Sequence, residues 1–206
     1  MILQRVPAGI YGANCYILGD EVTKEAIIVD PGGDVDDIIL KIKELDLNVK
    51  YIVLTHGHGD HIGGLIELKD KMDATILIHE NDEELLIDAE KNLSSHMSMD
   101  NIEIKPDKVL KEGDKLKFGK YEAIIIHTPG HTKGSICIKV DNNILTGDTL
   151  FAGSIGRTDL YGGSFDKIIK SIKEKILIYD DDVKLFPGHG PVTTIGIEKN
   201  TNTFIQ

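Results

Sequence analysis

The chain has 206 residues, with 23 basic against 34 acidic side chains for a net charge of −11, and is 41% apolar and 28% charged. These proportions exclude a disordered, collagenous or coiled-coil chain, and a chain of this size buries about 70% of its unfolded surface without needing covalent staples. The acidic balance argues against nucleic acid and anionic membranes as partners, since both demand a basic face.

Cys15 and Cys137 sit in apolar, strand-like runs (NCYIL and SICIKV). Both are expected to be reduced and buried. The N-terminus lacks the apolar run and small-residue cleavage site of a signal peptide, and no apolar run approaches the roughly 18 residues needed to span a bilayer. A cytoplasmic location is the expectation.

In chain order, residues 1–6, 14–19 and 25–30 read as strands set apart by Gly and charged turns. Val35, Ile38, Ile39, Ile42 and Leu45 then recur at helical spacing, with Asp34 as the expected N-cap of a helix over 34–47. A short buried strand over 50–55 runs directly into HGHGDH, followed by a helix over 62–71 and a strand over 75–79. Asn81 and Glu84 give a capping-box pattern for a helix over 82–91. The polar stretch 92–108 reads as loop, and 115–148 as four strands. A Gly-rich loop over 151–163 precedes a helix face of Phe165, Ile168, Ile169, Ile172 and Ile176, with Ser164 as N-cap. A last strand and turn cover 182–190. Nothing resembles a linker, so one domain over 1–206 is expected. Three β-rich runs end in Pro-Gly (IIVDPG, IIIHTPGH, KLFPGH), hinting at a pseudo-duplicated sheet whose strand ends gather at one edge.

The chemistry concentrates in His56, His58, Asp60 and His61, an H-x-H-x-D-H run directly after a strand. Gly57 and Gly59 free the backbone between them, so four ligands can converge within six residues. Imidazole and carboxylate suit zinc or iron, and manganese less well. His131, Asp148 and His189 each follow an expected strand and extend the set to seven. Seven ligands are too many for one ion and suit two sharing a bridge, an arrangement that generates hydroxide for hydrolysis. His127 is expected to support the site or the core, and His79 and His96 to lie on the surface or in loops. The run AGSIG lacks the first glycine of a nucleophile elbow, and GHGDHI lacks the third glycine of a dinucleotide fingerprint.

With THGHGDH, TPGHTKGS, TGDTLF and FPGHGP in this order, and NCYIL and IIVDPGG before them, the chain resembles the metallo-β-lactamase superfamily, and within it the short glyoxalase II-like (hydroxyacylglutathione hydrolase-like) hydrolases. The resemblance implies an α/β fold, a four-layer αββα sandwich of two mixed sheets with helices outside. It implies that His56, His58 and His131 hold one metal, that Asp60, His61 and His189 hold a second, and that Asp148 bridges them. The ions would be zinc, with iron or manganese as alternatives. The implied reaction is hydrolysis of a thioester such as S-acyl-glutathione, a small-molecule acyl-thiol, with Asp60 also orienting the nucleophile. The carboxylate at Asp148 disfavours a true β-lactamase.

Two features depart from the full-length enzymes. The chain ends 17 residues after His189, without room for their helical glutathione-binding domain, which leaves other thiol carriers open. The loop after Asp148 reads GRTDLYGG, where Arg157 and Tyr161 are candidate substrate contacts and an Arg157–Asp159 tie within the loop is the alternative. GRTD also resembles persulfide dioxygenases of the superfamily, which would use one iron on His56, His131 and Asp148. A lactonase is a third reading.

Overall fold

The computed structural model describes residues 1–206. The first sheet begins with β1 (Ile2–Ala8), β2 (Ala13–Gly19) and β3 (Glu25–Val29), and after helix α1 (Val35–Glu44) continues with β4 (Asn48–Val53). Helices α2 (Gly59–Ile62) and α3 (Leu65–Lys71) lead to β5 (Thr75–His79), α4 (Glu83–Leu86) and β6 (Lys108–Leu110). The order β1-β2-β3-β4-β5-β6 is antiparallel up to β3 and parallel beyond it. The second half contributes β7 (Lys115–Phe118), β8 (Tyr121–His127), β9 (Ile136–Val140) and β10 (Asn143–Gly147). A small hairpin, β11 (Leu150–Phe151) and β12 (Ser154–Ile155), follows. Then come α5 (Phe165–Ser171), β13 (Lys184–Pro187), β14 (Thr193–Thr194) and α6 (Ile195–Thr201). This sheet runs β14-β13-β10-β9-β8-β7, with only the β10–β13 pair parallel.

The period-two alternation of the strands builds the layers. Ile27 and Val29 of β3 face Phe118, Ile125, Ile136 and Ile138 of the second sheet in the central core. Between them, Ile28 points outward with Ile17, Ile52 and Ile76 onto Ile38 and Ile42 of α1 and Leu65 and Leu68 of α3. On the other side Ile126, Cys137, Ile144 and Leu185 meet Ile168, Ile172, Ile176 and Ile195. These are four layers, αββα. Each fully buried Ile or Leu contributes about 1.5–3 kcal/mol. Cys15 and Cys137 are buried and unpaired, in different cores. No helix is long and apolar enough to cross a membrane.

Several local expectations are corrected. Asp34 takes a left-handed conformation (φ 46°) and makes no side-chain cap. Its Oδ2 instead accepts the Gly9 N–H at 2.8 Å, tying the start of α1 to the β1–β2 turn. The helix expected over 82–91 is one turn, Glu83–Leu86, after a 3₁₀ turn over Glu80–Asp82. Asn81 does not cap it; its N–H donates to His79 Nδ1 at 3.2 Å. Asn92 Nδ2 donates to the Leu85 carbonyl at 2.9 Å and the Ile102 carbonyl at 2.8 Å, which draws the chain off the helical path. The helix expected over 62–71 forms over Leu65–Lys71, and a separate turn, α2, precedes it across Gly63–Gly64. Helix α6, unread in the sequence, is capped by Thr194, whose Oγ1 accepts the Ile197 N–H at 3.3 Å.

Candidate metal centre

Strand β4 delivers the chain through Leu54 and Thr55 into His56. Asp30, just past β3, fixes both ends of the following turn. Its Oδ1 accepts the Thr55 N–H at 2.7 Å, and its Oδ2 accepts Thr55 Oγ1–H at 2.6 Å and His61 Nδ1–H at 3.0 Å. The turn carrying His189 is held from the other sheet edge. Asn14 Nδ2 donates to the Pro187 and Gly190 carbonyls at 2.9 and 3.0 Å, and Tyr16 O–H to the Pro187 carbonyl at 2.8 Å. A side chain at Gly188 would lie 2.3 Å from Asp148 Oδ1 and 2.7 Å from His61 Cε1, so only glycine lets this turn close on the site. The strand ends thus do gather at one edge.

All seven sequence-selected ligands meet there. His58 Nδ1 and His131 Nε2 are 2.9 Å apart, and His131 Nε2 and His56 Nε2 3.2 Å. In the second group, His189 Nε2 lies 3.2 Å from both His61 Nε2 and Asp60 Oδ2. Asp148 stands between the groups, with Oδ1 3.3 Å from His61 Nε2 and Oδ2 3.7 and 3.8 Å from the Nε2 atoms of His131 and His189.

The outer ring nitrogens settle what the inner ones can do. Thr55 Oγ1 gives its proton to Asp30, so at 3.1 Å from His56 Nδ1 it accepts. His131 Nδ1–H donates to the Arg157 carbonyl at 2.8 Å. A neutral imidazole has a single N–H, so His56 Nε2 and His131 Nε2 face each other as lone pairs. Burial keeps His56 and His58 in that neutral form, His58 being pushed down to about 3 by burial and then by His131. His58 Nε2 and Asp148 Oδ1 are buried without a hydrogen-bond partner. Burial acts to raise Asp148, yet the charge of His61 holds it below the usual carboxylate range. Burial opposes a proton on His61, but Asp148 and Asp30 raise its pKa well above that of a free imidazole. That proton occupies the place of a cation, as metal binding releases protons from such ligands. Converging lone pairs, neutral imidazoles and ionised carboxylates fit divalent cations of the zinc or iron type.

The cleft over these groups has a volume of about 180 Å³; Tyr11, Leu93, Met97 and Leu160 supply its apolar wall and Arg157 its rim. None of the four apolar residues stood out in the sequence. Leu93 (φ 70°) and Met97 come from the stretch read only as loop. Arg157 makes a bidentate pair with Asp159, with both contacts at 2.8 Å. Tyr161 O–H donates to Glu84 Oε2 at 3.0 Å and accepts from Lys133 Nζ at 3.2 Å, away from the cleft lining. His127 is outside the site. It stacks on His79, with ring centroids 3.9 Å apart, and His79 is buried rather than on the surface. His96 is exposed and pairs with Glu90 at 2.8 Å.

Comparison with known proteins points to one superfamily. The chain is 38% identical over 210 residues to hydroxyacylglutathione hydrolase GloC of Haemophilus influenzae, covering 100% of this chain and 99% of that one. It is 38% identical over 206 residues to the probable metallo-hydrolase YqgX of Bacillus subtilis, covering 98% and 97%. Among solved structures, the BLEG-1 B3 metallo-beta-lactamase superposes with a TM-score of 0.93 at 35% identity, covering 100% of both chains. ETHE1 from Myxococcus xanthus gives 0.81 at 28%, covering 98% and 84%. TTHA1623, solved in a di-iron-bound form, gives 0.84 at 29%, covering 98% and 99%. The family model of the metallo-beta-lactamase superfamily matches residues 8–189, and the chain belongs to that superfamily.

Proposed function

We propose that this chain is a single-domain, cytoplasmic dinuclear-metal hydrolase that cleaves a thioester of a small acyl-thiol. His56, His58 and His131 would hold one ion, Asp60, His61 and His189 the second, and Asp148 would bridge them. The observation that carries the reading is the pair of three-ligand groups with Asp148 between them. One mononuclear site would leave the second group without a role.

When bound, the metals supply the Lewis acidity that activates water at neutral pH and polarises an acyl carbonyl. The chain's own residues do the rest. Asp60 faces the cleft, and although burial acts to raise its pKa, the His189 hydrogen bond keeps it ionised, as a group that would accept a hydrogen bond from the attacking water and orient it. Asp30, Thr55 and the Arg157 carbonyl lock the imidazole orientations. Leu93, Met97 and Leu160 exclude bulk water from the acyl group. The departing thiolate needs no strong acid, since a free thiol has a pKa of about 8.5.

Two other activities have specific support. The GRTD loop, which resembles that of persulfide dioxygenases, favours a mononuclear-iron dioxygenase, and the likeness to the BLEG-1 B3 metallo-beta-lactamase favours a β-lactamase, against which the Asp148 carboxylate stands. Elemental analysis of protein purified without added metal, with assays on S-lactoylglutathione, a persulfide and a β-lactam, separates the three. About two ions per chain with thioester cleavage is the expected result. One iron with oxygen uptake on a persulfide, or preferential β-lactam opening, would replace this reading.

A further inference from the structure

Behind the His131 loop lies a second cavity of about 490 Å³, within the range of small-molecule sites, and apart from Pro129 its lining side chains are polar or charged. One wall is α5 and the π-helical turn that continues it over Ile172–Ile176. Lys167, Lys170, Ser171 and Glu174 follow each other at i, i+3, i+4 and i+7 and share one face. The wider π turn, a feature frequent at functional sites, adds Lys175 to the same wall. Lys133 closes the opposite side beside Asn81 and His127. Four lysines therefore line this cavity against one glutamate, in a chain whose net charge is −11.

The lysines divide by role. Lys175 Nζ is fixed by the His127 carbonyl at 2.7 Å and Glu112 at 2.9 Å, and Lys133 Nζ by Glu84 at 2.7 Å. Lys170 reaches Glu174 only at 4.0 Å, and Lys167 has no ion-pair partner. Two ammonium groups are thus free to meet an anion. Lysine serves phosphate as a point charge, and the two free ammonium groups lie one helical turn apart on the same face.

The cavity and the metal cleft share a wall. Gly130 (φ 143°) precedes His131, and its carbonyl accepts the Ser164 N–H at 2.8 Å. A Cβ at Gly130 would lie 2.3 Å from the Ile168 nitrogen, so the loop lies directly on α5. Lys133 Nζ, at the cavity, touches Tyr161 in the loop whose Arg157 and Leu160 line the cleft. Leu160 at the cleft is followed in the chain by Tyr161, which touches Lys133, and Lys133 lines the cavity together with Lys167 and Lys170.

We propose that this cavity binds the phosphate end of the thiol carrier, so that the substrates are acyl-thiols whose carrier ends in phosphate esters. The proposal rests on the thioester-hydrolase reading. The test uses the metal-loaded protein and one acyl group on two carriers, coenzyme A and N-acetylcysteamine, which lacks phosphates. The coenzyme A thioester is expected to have the lower KM. The Lys167→Ala/Lys170→Ala variant should raise that KM about tenfold, equivalent to 1.4 kcal/mol, and leave N-acetylcysteamine thioester turnover unchanged. Added salt should act in the same selective way. Calorimetry with desulfo-coenzyme A, which lacks the thiol that would ligate the metals, should find binding weakened about tenfold in the variant.

Equal KM values for the two carriers, or a KM that ignores the lysines, would overturn the carrier assignment and leave the hydrolase standing. Cleavage of neither thioester would instead overturn the hydrolase reading and the carrier role with it. Lysine-dependent desulfo-coenzyme A binding would then reassign the cavity to a free phosphate compound, and binding equal in both proteins would remove the phosphate site as well.

Discussion

The buried Asp82 carboxylate accepts a 2.6 Å hydrogen bond from Thr132 Oγ1, and through it joins the two loops that carry the first ligand group. The same carboxylate takes the Gly134 N–H at 2.6 Å and the Gly57 N–H, between His56 and His58, at 3.3 Å. Burial raises its pKa to about 6 against the pull of these donors. Asp82→Ala would leave three donors unmatched, at about 1–3 kcal/mol each where buried. The expected result is metal affinity lowered by about tenfold or more, as for other groups that orient ligands, read by chelator competition. Affinity equal to wild type would show that the loops hold themselves.

Asp60→Ala should reduce kcat by orders of magnitude, with the circular dichroism spectrum and melting cooperativity retained. The carboxylate is at the cleft, partly exposed, and carries none of the three hydrophobic cores. A variant turning over near the normal rate would remove Asp60 from the mechanism.

Arg157 and Asp159 can be separated by paired variants. If the guanidinium meets substrate, Asp159→Ala frees it and lowers KM, while Arg157→Ala raises KM with kcat unchanged. If the pair only ties the loop, both substitutions act alike and weakly, since exposed ion pairs are worth about 0–1 kcal/mol. Opposite signs are the expected outcome, read from KM on one thioester.

His79 gives the fold a pH dependence away from the metal site. Burial, and then the stacked His127, lower its pKa from 6.5 to about 4. The unfolded chain therefore binds the proton first. The stability from the neutral ring is complete above pH 6.5 and is lost as pH falls towards 4, by up to about 3 kcal/mol at 1.4 kcal/mol per unit. His79→Phe keeps a stacking ring without a titrating group. Its urea midpoint should fall less between pH 7 and pH 5 than that of wild type, and an equal fall would assign the acid sensitivity elsewhere.

The layers, and which His and Asp side chains gather at the site, were legible in the sequence because each rests on local pattern. Alternating Ile and Val runs define both faces of β3 and β8, and H-x-H-x-D-H marks the turn after β4. What stayed hidden depends on distant partners. Asp34 and Asp82 read as helix-start residues, yet their carboxylates serve Gly9 and the His131 loop instead. Asn92 was one polar residue in a polar stretch until its amide met Leu85 and Ile102. Helix α6 carries Gly196 in its first turn, which masks the periodicity. The apolar cleft wall gave no signal, since Leu93 and Met97 reach it through a turn only the folded chain defines.

The ligands are divided between the sheets in a way that matters beyond chemistry. In the proposed centre each ion takes two ligands from the first half of the chain and one from the second besides the bridging Asp148, and the contacts span 73 residues for His58–His131 and 128 for His61–His189. Each ion is then a reversible cross-link that closes a long loop, and such clips restrict an unfolded chain most when the loop is long. Metal supply during synthesis would therefore act as a fastening step. Chains made in metal-poor medium should be cleaved by proteases more readily than those that receive their ions early.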